Sequence, residues 1–314
     1  MKIFITGVTG LIGSHLADFL INKKKLEVWG LKRFRSDTRN IRRLNKLNLV
    51  SGDMLDYSCV ELFINKIKPD VIFHLASQSY PAESWSAPIY TVENNILSTI
   101  NLLEVVRKLK NPPKVYLACS SAEYGITQKV PMNESHPLKP VSPYGVSKLA
   151  TEALGYQYFV NYKVPVYLGR YFLQTGRGQG ETISIPNFCK QVALIEKGRQ
   201  EPVIYVGNLK TKRDFLDVRD GVRATWMLTQ KGKPGDVYNI CSGKAPLMSE
   251  VLKIITDQAK VKIKVKIDPA RLRPSDEPII LGTYKKLHED TGWKPKIPLK
   301  ETILWILDYW REIP

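Results

Sequence analysis

Tyr144 and Lys148 stand four residues apart in the stretch "SPYGVSK" at 142–148. At the start of a helix that spacing puts a phenol and an ammonium on one face, about one turn apart along the axis. A free tyrosine has a pKa of about 10, so at neutral pH almost none of it is phenolate. An ammonium about 5 Å away, in an effective dielectric of about 20, favours phenolate by roughly 3 kcal/mol, or about 2 pKa units. The expectation is a phenol that exchanges a proton with a sugar hydroxyl or ketone close to neutrality. "CSSAEYG" at 119–125, directly after "KVYLA", adds Ser120, a neutral hydroxyl at the end of a buried strand, able to bond the same oxygen. A tyrosine and a lysine four apart are by themselves ordinary helix surface; the serine pair gives the spacing its weight.

A second group of residues suits a dinucleotide. "TGVTGLIG" at 6–13 closes the first apolar strand and opens a helix, with Gly7, Gly10 and Gly13 at the turn. Glycines there permit a tight turn and close backbone approach to a pyrophosphate, while the helix N-terminus offers partial positive charge. The second strand ends in "GLKRFRSD", where an NAD enzyme commonly carries an acid for the ribose 2′-hydroxyl; Lys32, Arg33 and Arg35 stand there instead. Arginine's planar fork matches a 2′-phosphate, so NADP(H) is the expected cofactor, with NAD(H) as the alternative. Asp53, after the third strand, falls beside the adenine.

These groups need a scaffold that brings strand ends together. Short apolar runs alternate with helical segments through the first half of the chain: "KIFITG", "LIGSHLADFLINK", "EVWGLK", "NLVSGD", "PDVIFHLA", "PKVYLACS" and "PVYLGRYF" among them. Strands separated by helices require right-handed crossovers and a parallel sheet covered on both faces. The fold class is therefore α/β, a Rossmann-type doubly wound sheet with a smaller, discontinuous α/β substrate lobe over the carboxyl ends of the strands. Residues 1–172 and 210–243 form the expected cofactor domain, and residues 173–209 and 244–314 the substrate domain. "KVKIKVKI" at 260–267 alternates like a strand with one buried and one wet face.

Composition narrows the classes. A chain of 314 residues with 43% hydrophobic and 25% charged residues can bury a core and is not disordered. Forty-seven basic against 30 acidic residues give +17, but the lysines are dispersed and carry no aromatic interleaving, so a solvated surface is expected and nucleic acid is not a partner. Cys59, Cys119, Cys189 and Cys241 show no ligand spacing, which leaves neither a disulfide framework nor a metal site. The opening "MKIFITG" has no charged leader, and no stretch approaches a membrane span. A cytoplasmic protein with no membrane partner is expected.

The glycine motif, Asp53, "HLA" at 74–76, Asn95, Ser120, Tyr144 and Lys148 together resemble an extended short-chain dehydrogenase/reductase of the nucleotide-sugar type. The resemblance runs the whole length. "QEPVIYVGNLKTKRDFLDVRD", "GDVYNICSGKA", "DPARLRPSDEPIILG" and "TGWKPKIPLKETI" are similar to GDP-4-keto-6-deoxy-D-mannose reductases and to the sister GDP-mannose 4,6-dehydratases. The resemblance implies that Thr9, Leu11, Ile12, Met54, Leu75 and Ala76 join the three glycines, Arg33 and Asp53 around the cofactor, with Tyr144 and Lys148 reaching the same ligand. It implies Ser120, Tyr144 and Lys148 as catalytic residues. Arg213 and Arg273 grip a diphosphate, with Asn187 and Lys190 nearby, Gly207 borders the guanine, and Gln78, Ser79 and Ser121 face the hexose. Dimerisation through the helix that bears Tyr144 and its neighbour is likewise implied.

Two departures bear on the reaction. In the dehydratases a glutamate two places after the position of Ser120 removes the carbon-5 proton; this chain has Ala122, whose methyl group takes no proton. The resulting expectation is NAD(P)H-dependent reduction of the 4-keto group of a GDP-4-keto-6-deoxy-hexose, as in GDP-D-rhamnose formation, with Tyr144 as proton donor. Glu123 is adjacent, so a one-residue slip keeps dehydration or 4-epimerisation with recycled cofactor open, and a non-catalytic NADP-sensing protein is the remaining alternative. In "RYFLQTGRGQ", Tyr171, Leu173 and Arg177 replace a proline, an asparagine and a second proline of the relatives, which leaves the sugar's pose open and offers Arg177 toward phosphate.

Overall fold

A computed structural model describes residues 1–271 and 277–313. Seven strands form the central sheet: β1 (Lys2–Thr6), β2 (Glu27–Lys32), β3 (Asn48–Ser51), β4 (Val71–His74), β5 (Lys114–Ser120), β6 (Val166–Tyr171) and, after four short strands, β11 (Val237–Ile240). Their order is β11-β6-β5-β4-β1-β2-β3, and every pairing is parallel. The expected doubly wound sheet is thus present. β4 and β6 are buried at every position, as a parallel sheet covered on both faces demands of apolar runs such as "VIFH".

Helices α1 (Leu11–Ile21) and α2 (Tyr57–Ile67) follow the first and third strands; a short α3 (Glu83–Ser86) leads into α4 (Pro88–Arg107), and α5 (Pro143–Tyr162) carries the Tyr144 segment. One sheet face is covered by Leu16 and Leu20 of α1 with Val222 and Leu228 from a helix further along the chain. The other face packs Ile64, Leu102, Leu103 and Tyr158 from α2, α4 and α5. Burying each such side chain contributes about 1.5–3 kcal/mol, which makes the sheet a firm base for the loops at its edge.

The short strands are β7 (Leu173–Thr175), β8 (Val203–Val206), β9 (Lys212–Arg213) and β10 (Phe215–Asp217), with β12 (Lys264–Ile267) and β13 (Ile279–Ile280) later. They pair as β10-β7, β12-β8 and β13-β9, three ribbons outside the main sheet. α6 (Ser184–Glu196), α7 (Val218–Lys231), α8 (Met248–Thr256), α9 (Lys285–Thr291) and α10 (Leu299–Glu312) complete the chain. Phe188, Val192, Val251, Ile255, Ile303 and Leu307 give α6, α8 and α10 a core of their own. The lysine ladder departs from expectation: β12 is exposed along its whole length, Val265 and Ile267 included, and among the described residues β8 is its only strand partner.

Candidate active site

The sheet order reverses between β1 and β4, and the loops diverging there open a crevice at the carboxyl ends of the strands. It widens into a cleft of about 1900 Å³, larger than a typical small-ligand pocket and roomy enough for two nucleotides.

Main chain builds the wall at β1. Gly7 has φ +68, and a Cβ there would lie 2.7 Å from the Ala76 nitrogen, so only glycine lets the turn pass so close to the end of β4. Gly10 N donates to Gly7 O, and Gly10 caps α1 with no side chain over the helix end and no acid in the first turn. The N-terminal N–H groups of α1 are left with no side-chain cap to compete with an anion. Thr6 Oγ1 accepts from Leu75 N and Ala76 N and bonds His74 Nδ1, tying the two strand ends together. Burial, then the charge of Lys148, pull His74 down to about 3, so it stands neutral.

Thr9, Leu11, Ile12 and Gly13 line this wall beside Gly7 and Gly10, with Leu75 and Ala76 adjoining them, and Asp53 and Met54 also line the cleft. Lys32 and Arg33 also line the cleft, Arg33 donating to Tyr90 OH at 2.9 Å, but exposed Arg35 does not. Arg39 and Asn40 line it too, and sequence reasoning missed both. Asn40 Nδ2 donates to Thr9 O and to Gly178 O, 138 residues beyond Asn40 itself, and so bridges two loops far apart in the chain. The glycine cradle, the uncapped helix and the cations fit a dinucleotide with a phosphorylated ribose.

α5 brings Tyr144 and Lys148 to the cleft. Ser142 Oγ caps the helix by accepting from Gly145 N, and Pro143 occupies its first turn, as the sequence "SPYG" favours. A Cβ on Gly145 would lie 2.6 Å from Ala122 O, so this glycine lets the helix start press against the turn after β5. Lys148 Nζ donates to Ala118 O at 2.9 Å, pinning the helix to the strand. Ser120, Ser121, Ala122, Tyr144 and Lys148 all line the cleft.

The electrostatics differ from the expectation. Burial pushes the Tyr144 phenol up to about 12, against a smaller opposing effect of Ser120. Burial also lowers the Lys148 ammonium, which sits 5.8 Å from the centre of the Tyr144 ring with its proton on a carbonyl. Desolvation of the phenolate outweighs a cation that is itself desolvated, so Tyr144 is protonated across the neutral range. A protonated phenol in a dry wall is a proton donor rather than a base. Ser120 Oγ accepts from Ala122 N, and a side-chain hydrogen bond ties the same hydroxyl to the Tyr144 phenol.

Glu123 does not slip into the cleft. It is wholly buried, its Oε1 accepts from Ser120 N at 2.6 Å, and it belongs to the layer beneath the site with Arg170 and Glu152. Ala122 holds the cleft-facing position, so no carboxylate of this turn reaches a ligand.

Side chains build the far wall. Asn187, Lys190, Gly207 and Arg213 line it, and Ser79 lines the cleft from the loop after β4. Lys190 is paired with Glu181, and Arg213 Nη1 donates to Lys212 O and Glu277 O. Asp214, fully buried, accepts from Ser242 N, Ser242 Oγ, Gly243 N and Gly282 N, and so fixes the loops beside Arg213. Arg273 lies outside the described residues. Arg271, a second cation of that loop that the sequence reading passed over, lines the cleft and donates to Asn187 Oδ1 at 2.8 Å.

Two expectations for this side fail. Gln78 does not face the cleft: its amide folds back to donate to Tyr80 O and accept from Tyr80 N, while buried Asn95 holds its main chain. Ser77 lines the cleft in its place. Arg177 turns away from any phosphate, donating to Trp305 O and stacking on the Trp305 ring. Of the other replacements, Tyr171 bonds Thr225 through its hydroxyl, and Leu173 presents an apolar face to the cleft.

Comparison with known proteins places this geometry in context. A sequence profile described as GDP-mannose 4,6 dehydratase matches residues 4–304. The chain is 33% identical to a GDP-6-deoxy-D-mannose reductase of Pseudomonas aeruginosa, over 98% of this chain and 97% of that protein. It is 30% identical to a GDP-mannose 4,6-dehydratase of Yersinia enterocolitica, over 96% of this chain and 91% of the relative. Among solved structures, RMD from Pseudomonas aeruginosa complexed with NADPH superposes with a TM-score of 0.86 at 29% identity, covering 99% of this chain and 98% of that one.

Proposed function

The chain belongs to the GDP-mannose 4,6-dehydratase family of NAD(P)-dependent nucleotide-sugar enzymes, and from that premise we propose that it reduces the 4-keto group of a GDP-4-keto-6-deoxy-hexose, using NADPH. The observation that carries this reading is the wall formed by Ser120, Ala122 and Tyr144: a protonated phenol and a hydroxyl face the cleft, and the nearest carboxylate is locked beneath it.

Residues 1–172 and 210–243 hold the dinucleotide, with its pyrophosphate at the Gly7–Gly13 turn and its 2′-phosphate at Lys32 and Arg33; NADH fits the same turn without that last contact. Bound reduced nicotinamide supplies a hydride. Tyr144 donates its proton to the ketone oxygen, and Ser120 donates a hydrogen bond to the same oxygen, offsetting the negative charge that develops there. Lys148 holds α5 against β5 and keeps positive charge near the phenol. Residues 173–209 and 244–314 hold the GDP moiety, with Arg213, Arg271 and Lys190 at the diphosphate and Gly207 beside the base.

Exposed Ile89, Tyr90 and Leu97 of α4 and Val146, Tyr156 and Val160 of α5 support a homodimer through these two helices. Free cysteines support a cytoplasmic site of action. Among the described residues, no helix is long and apolar enough to cross a membrane.

The test is turnover. Purified protein given NADPH and GDP-4-keto-6-deoxymannose is expected to consume one NADPH per sugar and release a GDP-6-deoxy-hexose. Conversion of GDP-mannose to a keto sugar or an epimer without net loss of NADPH would select dehydratase or epimerase instead.

A further inference from the structure

One cation faces two carboxylates beneath the reacting groups. Arg170 of β6, Glu123 of the turn after β5 and Glu152 of α5 are all buried, with exposures of 2%, 0% and 9%. Arg170 spends its fork on Glu152, donating from Nε to Oε2 at 2.8 Å and from Nη2 to Oε1 at 2.6 Å. Its Nη1 goes to Tyr124 OH and Glu134 O. Glu123 gets less. Its Oε1 accepts from Ser120 N, but Oε2 lies 3.4 Å from Arg170 Nε and has no hydrogen-bond partner. One oxygen of Glu123, one of Glu152 and Cys119 Sγ all lie within 4.8 Å of one another.

Two ionised carboxylates in so dry a place, with a single guanidinium already engaged by one of them, leave one negative charge uncompensated. A proton on Glu123 Oε2 removes that charge and supplies a donor toward Glu152. The other groups facing the cluster are Lys148, Tyr144, Cys119, Tyr124 and Glu134. Lys148 donates to Ala118 O and acts on Glu123 only through space, and among the described residues no ion pair joins the two. Burial, then the Glu152 carboxylate, hold Glu123 well above the usual carboxylate range, in line with the geometry.

We propose that Glu123 is a positioning residue carried as a neutral carboxylic acid: it shares its proton with Glu152 and uses its other oxygen to fix the main chain of Ser120. The consequence lies in the turn. Glu123 Oε1 takes the Ser120 N–H while Ser120 Oγ takes the Ala122 N–H, a reciprocal cap that sets Ser120 at φ −147 and ψ 146 with its hydroxyl toward the cleft. Glu123 touches no ligand and acts through Ser120.

The protonation half stands apart from any substrate assignment; the positioning half rests on the reductase reading, so the two are tested separately. A carboxyl whose folded pKa is raised above its unfolded value of about 4.3 costs stability increasingly as pH climbs from that value toward the folded one. Glu123→Gln keeps the shape, the acceptor and a donor toward Glu152, and cannot ionise. Melting temperatures of Glu123→Gln and wild type are measured without ligand from about pH 5 to about pH 8. The expected result is a difference, variant minus wild type, that grows more positive as pH rises. A difference that stays flat or falls would mean that Glu123 is ionised and paired with Arg170, and would overturn the proposal.

For positioning, Glu123→Leu is expected to lower kcat about tenfold, equivalent to ~1.4 kcal/mol, with KM for NADPH unchanged, and Glu123→Gln to recover most of it. Full kcat in the leucine variant, or a glutamine variant as slow as the leucine one, would remove the positioning role whatever the melting curves show.

Discussion

The two walls of the cleft are made differently. At β1 and β4 the ligand-facing groups are main chain: a turn that tolerates no side chain at Gly7, an uncapped helix end, and strand ends bound through Thr6. Across the cleft they are side chains that already hold partners, with Lys190 on Glu181, Arg271 on Asp268 and Asn187, and Arg213 on the carbonyls of Lys212 and Glu277. The first wall is preorganised, and binding there costs little rearrangement. Under the proposed function the second would exchange protein partners for phosphate oxygens, which makes its net contribution the small difference between two sets of charged contacts. Substrate choice is more easily altered on the second wall than cofactor binding is on the first.

Between them stands α5, and the largest expected effect belongs to it. Tyr144→Phe should lower kcat about 10³-fold while NADPH affinity, read by fluorescence titration, stays near wild type. A loss confined to affinity would move Tyr144 from chemistry to binding. The contrast between the walls is broken most directly at Gly7. Gly7→Ala forces a strained φ and a clash with Ala76, of order 1–3 kcal/mol, and should lower the melting temperature and weaken NADPH binding about tenfold. An unaffected variant would show that wall to be softer than its geometry.

Arg33→Ala sharpens the account of the same wall. Removing one charge-assisted contact to a 2′-phosphate should cost about 1.5–3 kcal/mol, raising KM for NADPH about tenfold or more and leaving KM for NADH in place. Equal losses for both dinucleotides would assign the residue to general electrostatics. The smallest effect is expected opposite. Arg271→Ala should raise KM for the GDP-sugar about fivefold, ~1 kcal/mol, with kcat held, and the variant should be less sensitive to added salt than wild type.

The same contrast explains what was legible in the sequence. The doubly wound parallel sheet, the glycine turn and the spacing of Ser120, Tyr144 and Lys148 follow from periodicity and local spacing, because a strand-helix alternation, a main-chain turn or a helix face is written within a few residues. Gln78 and Arg177 defeated that reasoning: each lies in an appropriate loop, yet Gln78 bonds its own main chain two residues on and Arg177 is captured by Trp305, 128 residues away. Arg271, Asn40 and Asp214 bond partners 84, 138 and 68 residues away, which spacing does not encode. The pKa of Tyr144 was misjudged for a related reason. Its spacing to Lys148 is local, whereas the burial that outweighs the lysine is a property of the packed fold.

Under the proposed function Tyr144 of α5 offers the substrate a proton, and the turn after β5, with Ala122 at the cleft, offers no base. Reduction of GDP-4-keto-6-deoxymannose with NADPH in deuterated water, followed by NMR of the product, tests it most directly. The carbon-5 hydrogen is expected to remain protium, as in an enzyme-free control, with the carbon-4 hydrogen drawn from NADPH. Deuterium at carbon 5 above that control would mean that some group in the cleft removes the proton, and would contradict that reading.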